Sequence, residues 1–116
     1  MPTPAKILLV DDEEVLRVNL KKLLQLDDYV VTLAADGREG LELFGKESFD
    51  IILTDVRMPG IDGHELLKQV KARNPYPEVI IMTGHGDITG AITALREGAF
   101  GYLLKPVDYD ELQIEI

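Results

Sequence analysis

Cysteine is absent from this 116-residue sequence, and basic residues are few relative to acidic ones. Without cysteine, the chain can form neither a disulfide framework nor a metal site with thiolate ligands. The sequence has 12 lysines and arginines and 21 aspartates and glutamates, which gives a net charge of −9. This charge argues against direct nucleic-acid binding, which needs a basic face, and against docking on anionic membranes.

Long apolar runs are missing as well. The apolar run after Pro4 is far too short for a signal peptide or a membrane span, so we expect a cytoplasmic protein with no membrane partner. The sequence has no internal repeat, low-complexity tract or linker. Its length fits one domain with a sizeable buried core.

Short apolar runs alternate with segments of helical period along the chain. The runs predict five strands, at Lys6–Val10, Tyr29–Ala34, Ile51–Thr54, Val79–Met82 and Phe100–Leu104. Thr32 interrupts the second run, which indicates an edge strand. A helical segment follows each strand, and this alternation predicts an α/β layer fold with a parallel sheet covered on both sides. The pattern does not determine the strand order.

The helical segments predict particular ends and buried faces. Asp36 and Asp108 are predicted N-caps, and Gly98 is predicted to end the fourth helix. The residues predicted to face inward are Leu16, Leu20, Leu23 and Leu24 in the first helix, Leu41 and Phe44 in the second, Leu66, Leu67 and Val70 in the third, Ile88, Ala91, Ile92 and Leu95 in the fourth, and Leu112 in the fifth. The fifth helix is cut short at Ile116, so we expect residues 1–116 to be one domain of a longer protein.

Polar side chains follow four of the five predicted strands. Asp11 and Asp12 end the first strand, Asp55 the third, Thr83 the fourth and Lys105 the fifth. Any one of them could cap a turn. Together they lie at the carboxyl ends of parallel strands, where open α/β sheets bind ligands. The set therefore indicates a functional site, and it changes the interpretation of Asp55 from a turn residue to a reactive one.

The charges at these strand ends indicate what the site binds. Carboxylates brought together repel, each pair by roughly 4 kcal/mol at ~4 Å in an effective dielectric of ~20. Lys105 offsets one of three charges, and an all-oxygen cluster without histidine suits a hard cation, Mg²⁺ above all. The acidic run from Asp11 to Glu14 would repel a nucleotide or flavin phosphate, which needs a loop of backbone donors there. A carboxylate beside Mg²⁺, a hydroxyl and an ammonium suits phosphoryl transfer onto that carboxylate.

Four motifs carry a resemblance to a known family. They are Leu9–Glu13 (LVDDE), Leu53–Gly63 (LTDVRMPGIDG), Ile81–Gly84 (IMTG) and Tyr102–Pro106 (YLLKP). In this order and on these elements, the chain resembles the receiver domain of two-component response regulators from end to end. The resemblance implies a flavodoxin-like (βα)5 three-layer sandwich with strand order 2-1-3-4-5.

The resemblance also implies residue roles. Asp55 would be the phosphoacceptor, with Thr83 and Lys105 holding the phosphoryl group. Mg²⁺ would bind Asp12, Asp55 and the backbone carbonyl of Arg57, with Asp11 acting largely through water. Thr83 and Tyr102 would form a switch that remodels the surface of the fourth helix, fifth strand and fifth helix. The Lys105-Pro106 bond would be cis.

Partners follow from the same resemblance. The donor would be a phosphohistidine on a sensor histidine kinase or a histidine phosphotransferase, and a homodimer could form through the surface of the fourth helix, fifth strand and fifth helix. The run Thr83–Ile88 with Gly98–Ala99 is most similar to receivers of σ54-type activators or hybrid sensor kinases. Arg57 and His85 stand two residues after Asp55 and Thr83, positions that tune phosphoryl lifetime in the family.

Two other functions compete with this interpretation. An Mg²⁺-dependent phosphohydrolase could use Asp55 as nucleophile on a separate substrate. Such enzymes commonly have an aspartate two residues later, where this chain has Arg57. A receiver-like module that binds partners without phosphorylation is the other possibility, and the acidic set with Lys105 argues against it. Tyr102 could be an ordinary core aromatic, and no ligand spacing links His64 or His85 to a metal.

Overall fold

Strands and helices alternate strictly along the chain. The structure is a computed structural model that describes residues 5–84 and 88–115, and it describes the side chains of these residues except those of Ile88 and Glu115. The elements are β1 (Lys6–Val10), α1 (Glu14–Leu26), β2 (Val30–Ala34), α2 (Gly37–Phe44), β3 (Ile51–Asp55), α3 (Gly63–Arg73), β4 (Glu78–Thr83), α4 (Ile88–Arg96), β5 (Gly101–Leu104) and α5 (Tyr109–Glu115). His85 and the predicted inward position of Ile88 lie outside the described residues and side chains. In the described part of the chain, no helix has the length and apolar character to cross a membrane.

The five strands form one parallel sheet in the order β2-β1-β3-β4-β5. This confirms the predicted α/β, flavodoxin-like fold and the edge position of β2. The register aligns the carboxyl ends of β1, β3, β4 and β5, through the pairs Val10–Thr54, Asp55–Met82 and Thr83–Leu104. Residues that directly follow these strands therefore meet at one edge of the sheet.

Two apolar cores lie on opposite faces of the sheet. Leu8 and Ile52 point to the face covered by α2, α3 and α4, whereas Ile7 and Leu53 point to the face covered by α1 and α5. Successive side chains of a strand point to opposite faces, so continuous apolar runs bury both sets. This double burial makes β1 and β3 rigid supports for the polar residues at their carboxyl ends.

Several predicted helix ends and buried faces are confirmed. The Asp36 carboxylate caps α2 by accepting from the Glu39 N–H at 2.9 Å, and the Asp108 carboxylate accepts from the Asp110 N–H at 2.8 Å. Gly98 follows α4 with a φ of +110°, which favours glycine. The Lys105-Pro106 peptide bond is cis, as the resemblance implied. The predicted inward residues Leu41, Leu66, Leu67, Val70 and Leu112 are all buried.

The predicted inner faces of α1 and α4 are wrong in part. Leu20 and Leu24 are buried in α1, but Leu23 is 39% exposed at the margin of that stripe. In α4 the buried residues are Ala91 and Ala94, whereas Ile92 and Leu95 are 45% and 38% exposed. Small side chains let α4 pack close to the sheet, so the larger residues of the helix face outward. Apolar spacing alone did not reveal which side of the helix would be buried.

Candidate functional site

Three carboxylates converge at the carboxyl edge of the sheet. Asp11 follows β1, Asp12 is the next residue, and Asp55 ends β3. One oxygen from each lies within 4.8 Å of the others, a grouping that could hold a metal ion. Asp11 is fully buried and Asp55 is 7% exposed, whereas Asp12 faces solvent. The donor set is all oxygen and strongly anionic, so it fits the hard cation predicted from the sequence.

The Lys105 ammonium lies among these carboxylates. Its Nζ is 2.8 Å from Asp11 Oδ2, 2.9 Å from Asp55 Oδ2 and 3.1 Å from Glu13 Oε1. Burial by itself lowers the pKa of Lys105, but hydrogen bonds to these three carboxylates outweigh it and hold the pKa well above its ordinary value. The side chain is therefore a cation at any physiological pH.

For Asp11, in contrast to Lys105, burial outweighs the hydrogen bonds in setting the pKa. It raises the pKa of the Asp11 carboxyl above its usual range, and hydrogen bonds from Lys105 and the Glu13 N–H only partly oppose this. The two shifts are compatible because one ammonium cannot neutralise several carboxylates at once. The site is left with excess negative charge, which favours an additional cation.

Backbone contacts hold the loop after β1 in place. The Glu13 N–H donates to Asp11 Oδ1 at 2.8 Å, and Arg17 Nη1 donates to the Asp11 carbonyl at 2.6 Å. Arg17 reaches back from the first turns of α1, so the helix itself fixes the position of the acidic pair. Neither Glu13 nor Arg17 was predicted as a site residue from the sequence. Glu13 stands in a run of four consecutive acids, where nothing in the order of residues shows which side chains point inward.

The acceptor candidate Asp55 is fixed from two sides. Its Oδ1 accepts from the Arg57 N–H at 3.2 Å, while its Oδ2 accepts from Lys105. The Thr54 hydroxyl donates to the Asp55 carbonyl at 3.0 Å, and the Val56 N–H donates to the Met82 carbonyl at 3.0 Å. The carboxylate therefore leaves β3 in one defined direction, towards the other strand ends.

Thr83 and Tyr102 lie on the β4 and β5 side of the site. Thr83 is fully buried, follows the register partner of Asp55, and donates from its hydroxyl to the Gly84 carbonyl at 3.1 Å. The Lys105 N–H donates to the Thr83 carbonyl at 2.8 Å, which joins the two strand ends. Tyr102 is 38% exposed and belongs to the outer surface of β5. Asp11, Asp12, Asp55 and Lys105 thus form one cluster, with Thr83 on the neighbouring strand and Tyr102 outside the cluster.

A shallow cavity of about 590 Å³ opens beside the β3–α3 loop. Its lining residues are Val56, Arg57, Met58, Pro59, Asp62 and His64. Gly60 has a φ of +76°, which lets the loop turn sharply away from β3. The loop therefore leaves open space next to the residues that follow Asp55.

Comparison with known proteins tests the resemblance found in the sequence. A family model described as "Response regulator receiver domain" matches residues 7–116. The chain is 45% identical over 103 residues to the DNA-binding transcriptional regulator NtrC of Escherichia coli strain K12, which covers 89% of this chain and 22% of NtrC. It is 42% identical over 113 residues to the transcriptional regulatory protein FixJ of Bradyrhizobium diazoefficiens, which covers 97% of this chain and 55% of FixJ.

A solved structure agrees with these sequence matches. The response regulator receiver domain protein from Clostridium thermocellum superposes with a TM-score of 0.91 at 44% identity, covering 96% of this chain and 90% of that one. The chain spans only a part of NtrC and FixJ, so the comparison concerns their matched segments. Because the family model covers nearly the whole chain and the fold agrees, this chain belongs to the response regulator receiver domains of two-component signal transduction.

Proposed function

We propose that the domain accepts a phosphoryl group on Asp55 from a phosphohistidine donor and thereby switches the surface of α4, β5 and α5. The observation that carries this proposal is the environment of Asp55. Its carboxylate ends a doubly buried strand, contacts the Lys105 ammonium at 2.9 Å and shares a cluster with Asp11 and Asp12. A nucleophilic carboxylate next to a fixed cation can accept a group whose oxygens are negative.

The transfer forms one bond and breaks one. An Asp55 carboxylate oxygen attacks phosphorus, the P–N bond of the phosphohistidine breaks, and its electron pair returns to the imidazole nitrogen. Lys105 offsets the charge of the phosphoryl oxygens, and the Thr83 hydroxyl turns from the Gly84 carbonyl to donate to one of them. Asp55 thus stores the group as an aspartyl phosphate, with no separate substrate turned over.

Mg²⁺ is the proposed cofactor. Asp11, Asp12 and Asp55 would hold it together with the backbone carbonyl of Arg57. The bound ion supplies positive charge that offsets repulsion between the carboxylates and the incoming phosphoryl group. The excess of carboxylates over ammonium at the site supports this assignment.

The proposed output surface combines α4, β5 and α5. Its exposed apolar residues include Ile92, Leu95, Tyr102, Leu104 and Ile114, and exposed Phe100 lies directly before β5. A cavity of about 470 Å³ lies between β5 and its flanking helices. Reorientation of Thr83 would let the Tyr102 ring turn inward and change this surface, which either an output module or a second copy of the domain could read. Apolar side chains clustered on an exposed face suit such a contact.

The proposed partners are a sensor histidine kinase or a histidine phosphotransferase, in the cytoplasm. Both NtrC and FixJ are longer than the segment matched here. By this likeness, we propose residues 1–116 as the receiver domain of a longer regulator. Its net charge of −9 supports a domain that does not itself contact nucleic acid.

The test is phosphorylation by a small donor. We expect the chain, incubated with Mg²⁺ and acetyl phosphate, to gain one phosphoryl group by intact mass, and Asp55→Asn to gain none. An equal gain in Asp55→Asn would refute the proposal. Release of many phosphates per chain from a phosphomonoester would favour the phosphohydrolase instead.

A further inference from the structure

The Glu13 carboxylate makes an ion pair that the phosphoryl chemistry above does not use. Glu13 Oε1 lies 3.1 Å from Lys105 Nζ, beside the shorter contacts of that nitrogen with Asp11 and Asp55. An ammonium has three N–H donors. Lys105 donates two of them to Glu13 and Asp55, and its contact with Asp11 Oδ2 at 2.8 Å is an ion pair. Glu13 thus holds one of the donors.

Glu13 differs from the other two partners of Lys105. Asp11 and Asp55 belong to the group of carboxylates that could hold a metal ion, whereas Glu13 does not. Its side chain is 63% exposed, against 0% for Asp11. When a cation binds the carboxylate oxygens of Asp11 and Asp55, Glu13 can therefore still form an ion pair with Lys105.

The backbone of Glu13 is held while its side chain is directed to Lys105. Its N–H donates to Asp11 Oδ1 and its carbonyl accepts from the Arg17 N–H at 3.1 Å. Glu13 occupies the N-cap position of α1, yet its side chain makes no capping hydrogen bond. Residues at this position usually cap the helix with their side chains. Here the carboxylate contacts Lys105 instead.

We propose that Glu13 is a positioning residue whose pairing with Lys105 favours cation binding and weakens phosphoryl binding. Without a phosphoryl group, Glu13 gives Lys105 a partner outside the metal-binding set and so eases cation binding. With a phosphoryl group on Asp55, the same carboxylate competes with the phosphoryl oxygens for Lys105. The inference rests on the proposed function, since it needs a phosphoryl group near Lys105.

The two roles predict opposite effects of one substitution. Glu13→Gln keeps the shape of the side chain and removes its charge. Lys105 then turns more fully to Asp11 and Asp55, so Mg²⁺ alone binds more weakly. Once Mg²⁺ is saturating, Lys105 no longer shares its N–H donors with a Glu13 carboxylate. It then binds a phosphoryl analogue more tightly. A variant that merely disturbed the loop would weaken both.

The experiment measures two dissociation constants by titration calorimetry. One is that of Mg²⁺ alone, and the other is that of beryllofluoride, a tetrahedral phosphoryl analogue, in saturating Mg²⁺. For Glu13→Gln we expect Mg²⁺ to bind about twofold to fivefold more weakly and beryllofluoride to bind more tightly by a similar factor, the range for an exposed ion pair. Glu14→Gln is the matched control. It removes the same charge from the adjacent residue, which makes no ion pair with Lys105 in the described part of the chain.

The outcomes separate this inference from the proposed function. A wild-type chain that binds no beryllofluoride in Mg²⁺ would overturn both. If the wild type binds it, then equal effects of Glu13→Gln and Glu14→Gln, or weaker beryllofluoride binding in Glu13→Gln, would overturn the role of Glu13 alone. A thermal melt of each variant shows whether it is folded, and exposed Glu13 is not expected to affect folding.

Discussion

At the scale of single residues, the site is a charge imbalance held in place by burial. One ammonium, Lys105, contacts three carboxylates, and Asp12 adds a fourth nearby. Burying Asp11 costs stability that its pairing with Lys105 offsets only in part, as the raised pKa of Asp11 indicates. The arrangement is therefore unfavourable for folding and favourable for binding a cation.

Asp11→Asn should consequently stabilise the metal-free protein. Its amide oxygen keeps the acceptor for the Glu13 N–H, and one buried negative charge is removed. A carboxyl with a raised folded pKa contributes stability below its ordinary pKa of 3.8, and this contribution is lost as pH rises through the folded value. At pH 7 in chelator we expect the free energy of unfolding to rise by roughly 1 kcal/mol, measured by urea denaturation.

The pH dependence is the internal control for this substitution. The advantage of Asp11→Asn should shrink as the pH is lowered towards the ordinary pKa of 3.8, because wild-type Asp11, whose pKa is raised, takes up a proton in that range. Lower stability of Asp11→Asn at pH 7 would show that its charged contact with Lys105 outweighs the cost of burial.

At the scale of elements, close packing of α3 against the end of β3 fixes the backbone position of Asp55. Gly63 is the first residue of α3, and its N–H donates to the Val56 carbonyl at 2.8 Å. A Cβ at this position would overlap the Asp55 carbonyl oxygen and lie 2.8 Å from Val56 Cα. These neighbours are backbone atoms, so only a shift of α3 or of the strand end could make room.

Gly63→Ala should therefore impair both the fold and the site. We expect a loss of about 1–3 kcal/mol in the free energy of unfolding, typical of overpacking, and slower phosphorylation by acetyl phosphate. Gly45→Ala is a suitable control. Its Cβ would make ordinary contacts at 3.5 Å, and its φ of −75° suits alanine. We expect it to leave phosphorylation unchanged and stability equal or up to about 1 kcal/mol higher. Equal effects of the two substitutions would contradict this view of α3.

At the scale of the whole molecule, a net charge of −9 and the acidic site predict that folding is coupled to divalent cations. An ion that binds the folded state alone stabilises it by mass action. At ten times the dissociation constant this amounts to about 1.4 kcal/mol. The unfolded chain does not bring Asp11, Asp12 and Asp55 together, so it has no equivalent site.

Mg²⁺ should accordingly raise the melting temperature. We expect a rise on the order of 5 °C at that concentration, reversed by chelator, in a calorimetric scan. Potassium chloride at equal ionic strength controls for screening of the net charge, and Asp12→Asn should lose most of the Mg²⁺ effect. A rise of the same size with potassium chloride would mean that Mg²⁺ acts only through general screening.

Much of the fold and the composition of the site could be inferred without coordinates. The apolar runs located the ends of every strand to within one residue, because the strands of a covered parallel sheet are rich in apolar residues. Strand ends identified Asp11, Asp12, Asp55, Thr83 and Lys105 together, since the carboxyl ends of parallel strands share one edge. The family motifs added the strand order, which apolar pattern alone left open.

Other features depended on how the elements pack. The outward position of Ile92 and Leu95 reflects the close approach of α4 through Ala91 and Ala94, which helical spacing does not specify. The pairing of Glu13 with Lys105 joins residues 92 positions apart and requires the loop geometry that Arg17 maintains. The order of residues along the chain is enough to indicate which strand ends share an edge. Which side chains then touch, and with what charge balance, depends on backbone directions that exist only once the layers have packed.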